Sequence, residues 1–254
     1  MFQAVIDITY HPGMREDFRD IRFSDLFGNP LSHQRESYTS FTIAKFWIKL
    51  PANDSKILMY YGNGGVSTAS SGPDTFEYYE YFSSINPSKW TIVHGSAVSS
   101  NGIVTIYNKT LNSILQSSQT FGQNTIVEAR AYHSIGNRSI IGYRDTDSQK
   151  SVAWHGAVIG DTDDHLYTHN GSSGTWKDDD VDRGGSTYHV YGVAYLSTGP
   201  KYWVDYISRG QVTTTIPTGN LPIHFYSEAG KTVKVDWVMV RKYAAVEPVL
   251  KLGI

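Results

Sequence analysis

Apolar and polar residues alternate along many short segments of the chain, most plainly between Thr42 and Leu50. One side of this segment carries the apolar residues Ala44, Phe46, Ile48 and Leu50. Spacing with a period of two predicts a β-strand with one buried face. On the opposite face, we expect Trp47 to lie flat against solvent.

Similar segments recur along the rest of the chain and are separated by turns rich in Gly, Asn and Ser. The predicted strands are Ala4 to Tyr10, Ile21 to Phe23, Tyr38 to Leu50, Lys56 to Tyr61, Trp90 to Val93, Ile103 to Tyr107, Ile126 to Tyr132, Ser139 to Tyr143, Ser151 to Val158, Leu166 to His169, Tyr188 to Leu196, Lys201 to Ser208, Ile223 to Tyr226 and Val233 to Arg241. The closest approach to a helical pattern is Asn108 to Ser118. The pattern predicts an all-β fold of the sandwich or jelly-roll type.

The segment from Val66 to Pro73 is rich in Ser, Ala, Thr and Gly, which is typical of a flexible linker. It divides the chain into two predicted β-sandwich domains, residues 1–72 and residues 73–254.

Composition narrows the classes of function. The formal net charge is −2, so there is no electrostatic case for a nucleic-acid partner. No apolar run approaches the roughly 20 residues that span a bilayer, so we expect no membrane insertion. The chain contains no Cys, which excludes disulfides and zinc–thiolate sites.

Four segments of the first part resemble, in order and spacing, an uncharacterised prokaryotic extracellular family, domain of unknown function 2341. They are Tyr10 to Met14, Asp17 to Phe23, Phe46 to Pro51 and Met59 to Asn63. That family brings no settled biochemical activity.

The second part resembles the concanavalin A-like lectin and glucanase superfamily, of the laminin G-like type. The resemblance lies in Phe82 and Pro87 to Trp90 at its start and in Val235 to Tyr243 at its end. It implies a curved jelly roll of two sheets in an extracellular or cell-surface protein.

Laminarinase-type enzymes of this superfamily carry the pattern Glu-x-Asp-x-x-Glu on one strand, which places their carboxylates on one sheet face to flank a glycosidic bond. The present sequence lacks this pattern, and Glu128 stands alone two residues before Arg130, with which we expect it to pair. We therefore expect no enzymatic activity, with a divergent glycoside hydrolase as an alternative.

The resemblance also implies a structural calcium ion that joins Asp236 on the last strand to Glu77 or Glu80 near the first. Hard cations prefer such oxygen ligands. Tyr81, however, stands where relatives usually carry Asp, and Asp236 could instead cap a strand end or pair with Lys234 or Arg241.

Other potential metal ligands are expected to have no such role. The acidic clusters at residues 161–164 and 178–182 are expected to be solvated loops, since they lack the spacing of a calcium loop. We expect His155, His165 and His169 to share no common face, which argues against an imidazole metal site.

Aromatic planes that stack on sugar rings, beside hydrogen-bonding side chains, indicate a carbohydrate site. The candidate residues are Tyr143, Arg144, Trp154, His155, Asn170, Trp176, Tyr195 and Tyr202. We expect Trp90 and Trp237 to be core residues instead. Asn-x-Ser/Thr sequons at Asn53, Asn108, Asn137 and Asn170 would mark surface turns.

Together these features predict a non-catalytic carbohydrate-binding or adhesion protein, extracellular or on a cell surface, whose partner is a polysaccharide or glycoconjugate. A structural assembly subunit of a surface layer, filament or virion remains an alternative. In that case the partners would be other copies of the chain or other surface proteins, with a strand donated between neighbours as one possible contact.

Overall fold

The computed structural model describes residues 2–51, 56–136, 138–156, 163–179, 181, 183–185, 187–248 and 250. The described chain is all-β apart from one four-residue helix, and no described helix is long and apolar enough to cross a membrane. It divides into two compact units, one formed by residues 1–79 with 241–254 and the other by residues 80–240.

The first unit is a small β-sandwich. Its elements are β1 (Phe2–Thr9), β2 (Arg22–Ser24), β3 (His33–Thr39), β4 (Ile43–Leu50), β5 (Leu58–Tyr60) and α1 (Gly72–Thr75). Strand β4 lies between β1 and β3 in an antiparallel sheet, and β2 pairs with β5. Alternate residues of β1 and β4, including Ile8 and Phe46, pack with Phe18 and Phe23 in one apolar core.

The prediction that Trp47 faces solvent is wrong. Trp47 is buried, its ring lies edge-on against Phe76, and its Nε1 donates a 2.6 Å hydrogen bond to Glu36. Both faces of β4 are therefore covered, and the polar tip of the indole has a partner within the fold.

The predicted linker belongs to the first unit. Ser71 N donates to His33 O over 2.8 Å, and Ser70 Oγ accepts from Arg35 N over 2.8 Å, so the segment runs along β3 before α1 begins. Residues 241–254 also group with the first unit, in contrast to the predicted division at residue 72.

Strands β6 to β20 build two larger sheets. They are β6 (Tyr78–Tyr81), β7 (Trp90–His94), β8 (Ala97–Ser100), β9 (Ile103–Tyr107), β10 (Ser113–Phe121), β11 (Thr125–His133), β12 (Ile140–Arg144), β13 (Ser151–His155), β14 (His165–His169), β15 (Gly174–Asp178), β16 (His189–Tyr195), β17 (Lys201–Val204), β18 (Ile207–Gln211), β19 (Leu221–Ser227) and β20 (Thr232–Lys242). The seven-stranded sheet has the order β15-β14-β13-β12-β19-β10-β7. The eight-stranded sheet has the order β18-β17-β16-β11-β20-β9-β8, with β6 paired to β20.

The two sheets pack as a sandwich through large aromatic side chains. Trp154 of β13 meets Tyr191 of β16 and Tyr202 of β17 edge-on, at centroid distances of 5.8 and 5.7 Å. Trp90 and Trp237 are buried, as predicted. The inward-facing residues of the seven-stranded sheet therefore form part of the core. The residues that alternate with them lie on the outward face of the sheet.

The segment Asn108 to Ser118, which has the sequence pattern closest to a helix, forms a turn and the first part of β10. Its inward positions include Ser113 and Ser117 beside Leu115, and all three are buried. Ser117 Oγ accepts a 2.8 Å hydrogen bond from Ile223 N on β19. Buried serines hide the apolar alternation that marks a strand, so the sequence pattern does not reveal β10.

The prediction that both acidic clusters are solvated is wrong for Asp164 and Asp179, which are buried. Arg183 pairs with both carboxylates, and Asp164 Oδ1 lies 3.3 Å from His133 Nε2. A buried carboxylate needs such partners to offset its desolvation. Of the other acidic residues in the clusters, Asp163 is half-buried and Asp178 is exposed. Asp161, Asp180 and Asp182, together with the sequons Asn53 and Asn137, lie outside the described residues.

Candidate functional site

An open pocket of about 420 Å³ lies on the outward face of the seven-stranded sheet. We call it the groove. Its lining residues are Ile114, Arg138, Ile140, Arg144, Thr146, His155, Trp176, His224 and Tyr226. Strands β10, β19, β12, β13 and β15 each contribute to it, because alternate residues of neighbouring strands in register share one face.

Aromatic rings form one side of the groove. The Tyr167 ring lies beside His155, at a centroid distance of 4.2 Å, and beside Trp176, at 6.1 Å with an interplanar angle of 33°. The Trp176 side chain is 60% exposed, whereas most large aromatic side chains of this unit are in the core. An exposed indole next to a second ring offers a flat apolar surface, which is what stacking on a sugar ring requires.

Polar groups form the opposite side of the groove. Gln116 Oε1 accepts a 2.9 Å hydrogen bond from Thr146 Oγ1 and lies 3.3 Å from His224 Nδ1. Because Oε1 can only accept, Nδ1 carries the proton, which makes His224 Nε2 an acceptor. His224 Nε2 and His155 Nε2 are buried, and neither has a hydrogen-bond partner among the described residues.

Burial keeps the groove imidazoles neutral. Desolvation lowers the pKa of His224 to about 3 and holds the pKa of His155 well below its usual value. In both cases the charge of Arg144 lowers the pKa further. Burial also raises the pKa values of Tyr167 and Tyr226. Near neutral pH, the groove therefore presents uncharged imidazoles and phenols around the Arg144 cation.

The neutral state of His224 predicts a pH dependence of stability. The pKa of His224 is lowered in the folded state. Below pH 6.5 this side chain therefore binds a proton in the unfolded chain but not in the folded chain. The free energy of unfolding consequently decreases as the pH falls. Between pH 7.5 and 5.5 we expect this group to contribute a loss of about 1.4 kcal/mol in the free energy of unfolding. Urea denaturation of wild type and His224→Asn at both pH values measures it. Equal losses in the two proteins would contradict the assignment.

Three of the eight predicted carbohydrate residues, Arg144, His155 and Trp176, lie in the groove. Asn170 does not line it; its Oδ1 accepts backbone hydrogen bonds from Ser172 and Ser173 at 2.9 and 3.0 Å in the turn between β14 and β15.

The placement of the other four predicted carbohydrate residues on a binding surface is wrong. Tyr143, Trp154, Tyr195 and Tyr202 are core residues on the inward faces of the sheets. Their polar tips bond within the fold, as in the 3.2 Å hydrogen bond from Trp154 Nε1 to Gly192 O and the 2.7 Å bond from Tyr202 OH to Tyr167 O. Rings held in this way cannot reach a ligand in the groove.

The predicted site residues do not include His224, Tyr226 and Tyr167, and the expectation that the three histidines share no face is wrong. His165, Tyr167 and His169 alternate along β14, and His165 is the cross-strand neighbour of His155. All therefore share the outward face. The alternation with Leu166 and Thr168 was the available signal.

The positions implied for calcium do not form a ligand set in the described structure. Glu80 pairs with Lys89 at 3.1 Å, Asp236 pairs with Arg130 at 2.5 Å, and Glu77 is exposed. No group of three or more acidic or histidine residues is placed to hold a metal ion in the described ranges. Each of the two buried or half-buried carboxylates already has a cationic partner, so these residues do not fit the ion, and calcium binding by the chain stays a prediction.

The groove lining supplies a defined chemistry. It offers a stacking surface, an unpaired guanidinium, neutral imidazole nitrogens and a phenol, and no Asp or Glu occurs among the lining residues. Two carboxylates act on lining residues: Glu228 accepts hydrogen bonds from Arg138 Nε and Nη2, and the charge of Asp145 acts on His224. Such a surface suits a polyhydroxylated ligand with a flat ring face.

The family model for domain of unknown function 2341 matches residues 17–93. The resemblance seen in the sequence is thus confirmed for the N-terminal part, although the match extends beyond residue 72. A search of curated proteins found no significant match.

Several solved structures of glycan-active enzymes share the fold. An endo-acting O-glycanase from the human gut microbiota aligns at 11% identity with a TM-score of 0.54, over 66% of this chain and 100% of its own. A β-1,3-1,4-glucanase (lichenase) from a mouse hindgut metagenome aligns at 14% identity and a TM-score of 0.52, over 65% and 98%. The endo-β-1,3-glucanase of Pyrococcus furiosus aligns at 15% identity and 0.54, over 67% and 95%.

These neighbours contradict the expectation that the chain is not an enzyme. That expectation rested on the missing Glu-x-Asp-x-x-Glu pattern, yet the three neighbours above, which share the fold, are glycoside hydrolases. At these identities the likeness shows the fold alone. The chain is therefore an all-β protein that contains a concanavalin A-like jelly roll.

Proposed function

We propose that the chain is a carbohydrate-active protein whose groove binds an oligosaccharide segment of a polysaccharide or glycoconjugate. The observation that carries the proposal is the juxtaposition of exposed Trp176 and Tyr167 with unpartnered hydrogen-bonding nitrogens of His155 and His224. A buried polar atom without a partner is destabilising unless a ligand or water satisfies it. Sugar hydroxyls both donate and accept, so they can satisfy these imidazoles while the ring stacks on the indole.

The fold supports this assignment. Glycanases and glucanases share it, and the groove lies on one sheet face of the sandwich. Because polysaccharides of this kind occur outside cells, the proposal also places the protein in an extracellular or cell-surface setting.

Trp176→Ala tests the stacking surface. Removing the indole should weaken glycan binding about tenfold, since a stacked ring contributes on the order of 1.4 kcal/mol. Isothermal titration against a panel of laminarin, lichenan, xylan, polygalacturonate and alginate oligomers measures the effect. The same samples are assayed for new reducing or unsaturated ends, because enzymes with this fold cleave glycans.

The matched control is Tyr107→Ala, which removes an exposed ring from β9 of the other sheet. We expect it to bind like wild type. Absence of binding to every glycan by folded wild-type protein, or equal losses in the two variants, would overturn the proposal.

A further inference from the structure

Arg144 is a half-buried cation in the groove that pairs with no described carboxylate. Its side chain forms no ion pair or hydrogen bond with any described residue, although it lines the pocket at the end of strand β12. Other arginines of the chain behave differently. Arg130, Arg138, Arg183 and Arg241 each contact a carboxylate.

The surroundings of Arg144 make this state unfavourable for the free protein. Arg144 is half-buried in the groove, and this burial lowers the pKa of its guanidinium. The groups that interact with it electrostatically are the phenols of Tyr167 and Tyr226 and the imidazoles of His155, His169 and His224. None of these five is an anion near neutral pH, and the neighbouring Asp145 carboxylate accepts a hydrogen bond from Ser148 instead of pairing with Arg144. A desolvated cation without a partner favours the binding of an anion.

On the basis of the proposed glycan-binding function, we infer that the groove selects an acidic glycan, and that Arg144 binds the carboxylate of a uronic acid residue. A guanidinium presents a planar fork of donors that matches a carboxylate in a bidentate pair. Neighbouring His155 and His224 can meet the ring hydroxyls, and Trp176 can cover the ring face. A neutral glycan would leave the guanidinium desolvated and unpaired.

The experiment compares each acidic glycan with its uncharged counterpart. Oligomers of polygalacturonate, alginate and hyaluronan, and the same oligomers after methyl esterification, are titrated into the full chain at pH 7. We expect at least one acidic form to bind at least about tenfold more tightly than its ester. This ratio of affinities corresponds to the contribution of one charge-assisted pair. Arg144→Gln should abolish this preference, while Arg144→Lys should retain part of it.

Lys234→Gln is the charge-matched control, because Lys234 lies on β20 of the other sheet and contacts Tyr132. It should keep the preference. Thermal melting of each variant confirms that it is folded. Equal affinity for acids and esters, or for neutral glucans and acids, overturns the inference while the proposed function stands. A folded protein that binds none of these glycans overturns both.

Discussion

Replacing Arg183 with methionine is expected to lower the free energy of unfolding by about 3–5 kcal/mol. The Arg183 guanidinium is buried and pairs with the buried carboxylates of Asp164 and Asp179. Without it, the two carboxylates remain in a low-dielectric setting, where His133 lies near Asp164 and only the more distant charge of Arg209 acts on Asp179. Burial already raises the pKa of Asp179, so this carboxylate is poorly stabilised even with its partner.

Urea denaturation followed by tryptophan fluorescence measures this loss. Arg130→Met is the control, because Arg130 and Asp236 form a pair exposed enough that its removal should change stability by about 1 kcal/mol at most. Adding Asp179→Asn to Arg183→Met should restore part of the stability. A loss in Arg183→Met no larger than in Arg130→Met would show that the three charged groups are solvated.

Replacing Trp154 with alanine is expected to cost about 3–5 kcal/mol of stability. The side chain is 1% exposed, lies between Tyr191 and Tyr202, and fills the space between the two sheets. The substitution leaves a cavity and removes the hydrogen bond to Gly192 O. Differential scanning calorimetry and urea denaturation measure the change.

The stability change of Trp154→Ala is compared with that of Trp176→Ala, which removes the same side chain from an exposed position. Its indole stands on the opposite face of the same sheet, largely in solvent, and its loss should change stability by about 0.5 kcal/mol or less. The two variants thus separate stability from glycan binding. Similar melting temperatures for Trp154→Ala and Trp176→Ala would refute the assigned faces.

Sequence periodicity predicted the all-β class and most strands, because core-facing positions of strands such as β4 and β20 are apolar. It did not identify which face of a strand is the core. Tyr143 with Arg144, and Trp154 with His155, were grouped in one site although neighbours on a strand point to opposite faces. That rule alone could have shown that only one member of each pair lies in the groove.

The remaining features depend on contacts between distant segments. The groove exists because β12 lies beside β19, which brings Gly142 next to His224, and no local pattern encodes that pairing. Strand β15 escaped prediction because its residues are largely exposed on both faces. The burial of Asp164 likewise follows from Arg183, 19 positions away.

The return of residues 241–254 to the first unit has a consequence for biosynthesis. Arg241 lies 5.0 Å over the Trp47 ring and pairs with Glu247, and Leu250 packs against the core of the first unit. In a nascent chain, the segment that begins the first unit leaves the ribosome well before these final residues do. The intervening jelly roll can therefore finish folding while the first unit is still incomplete. For the same reason, one proteolytic cut cannot release either unit as an intact body.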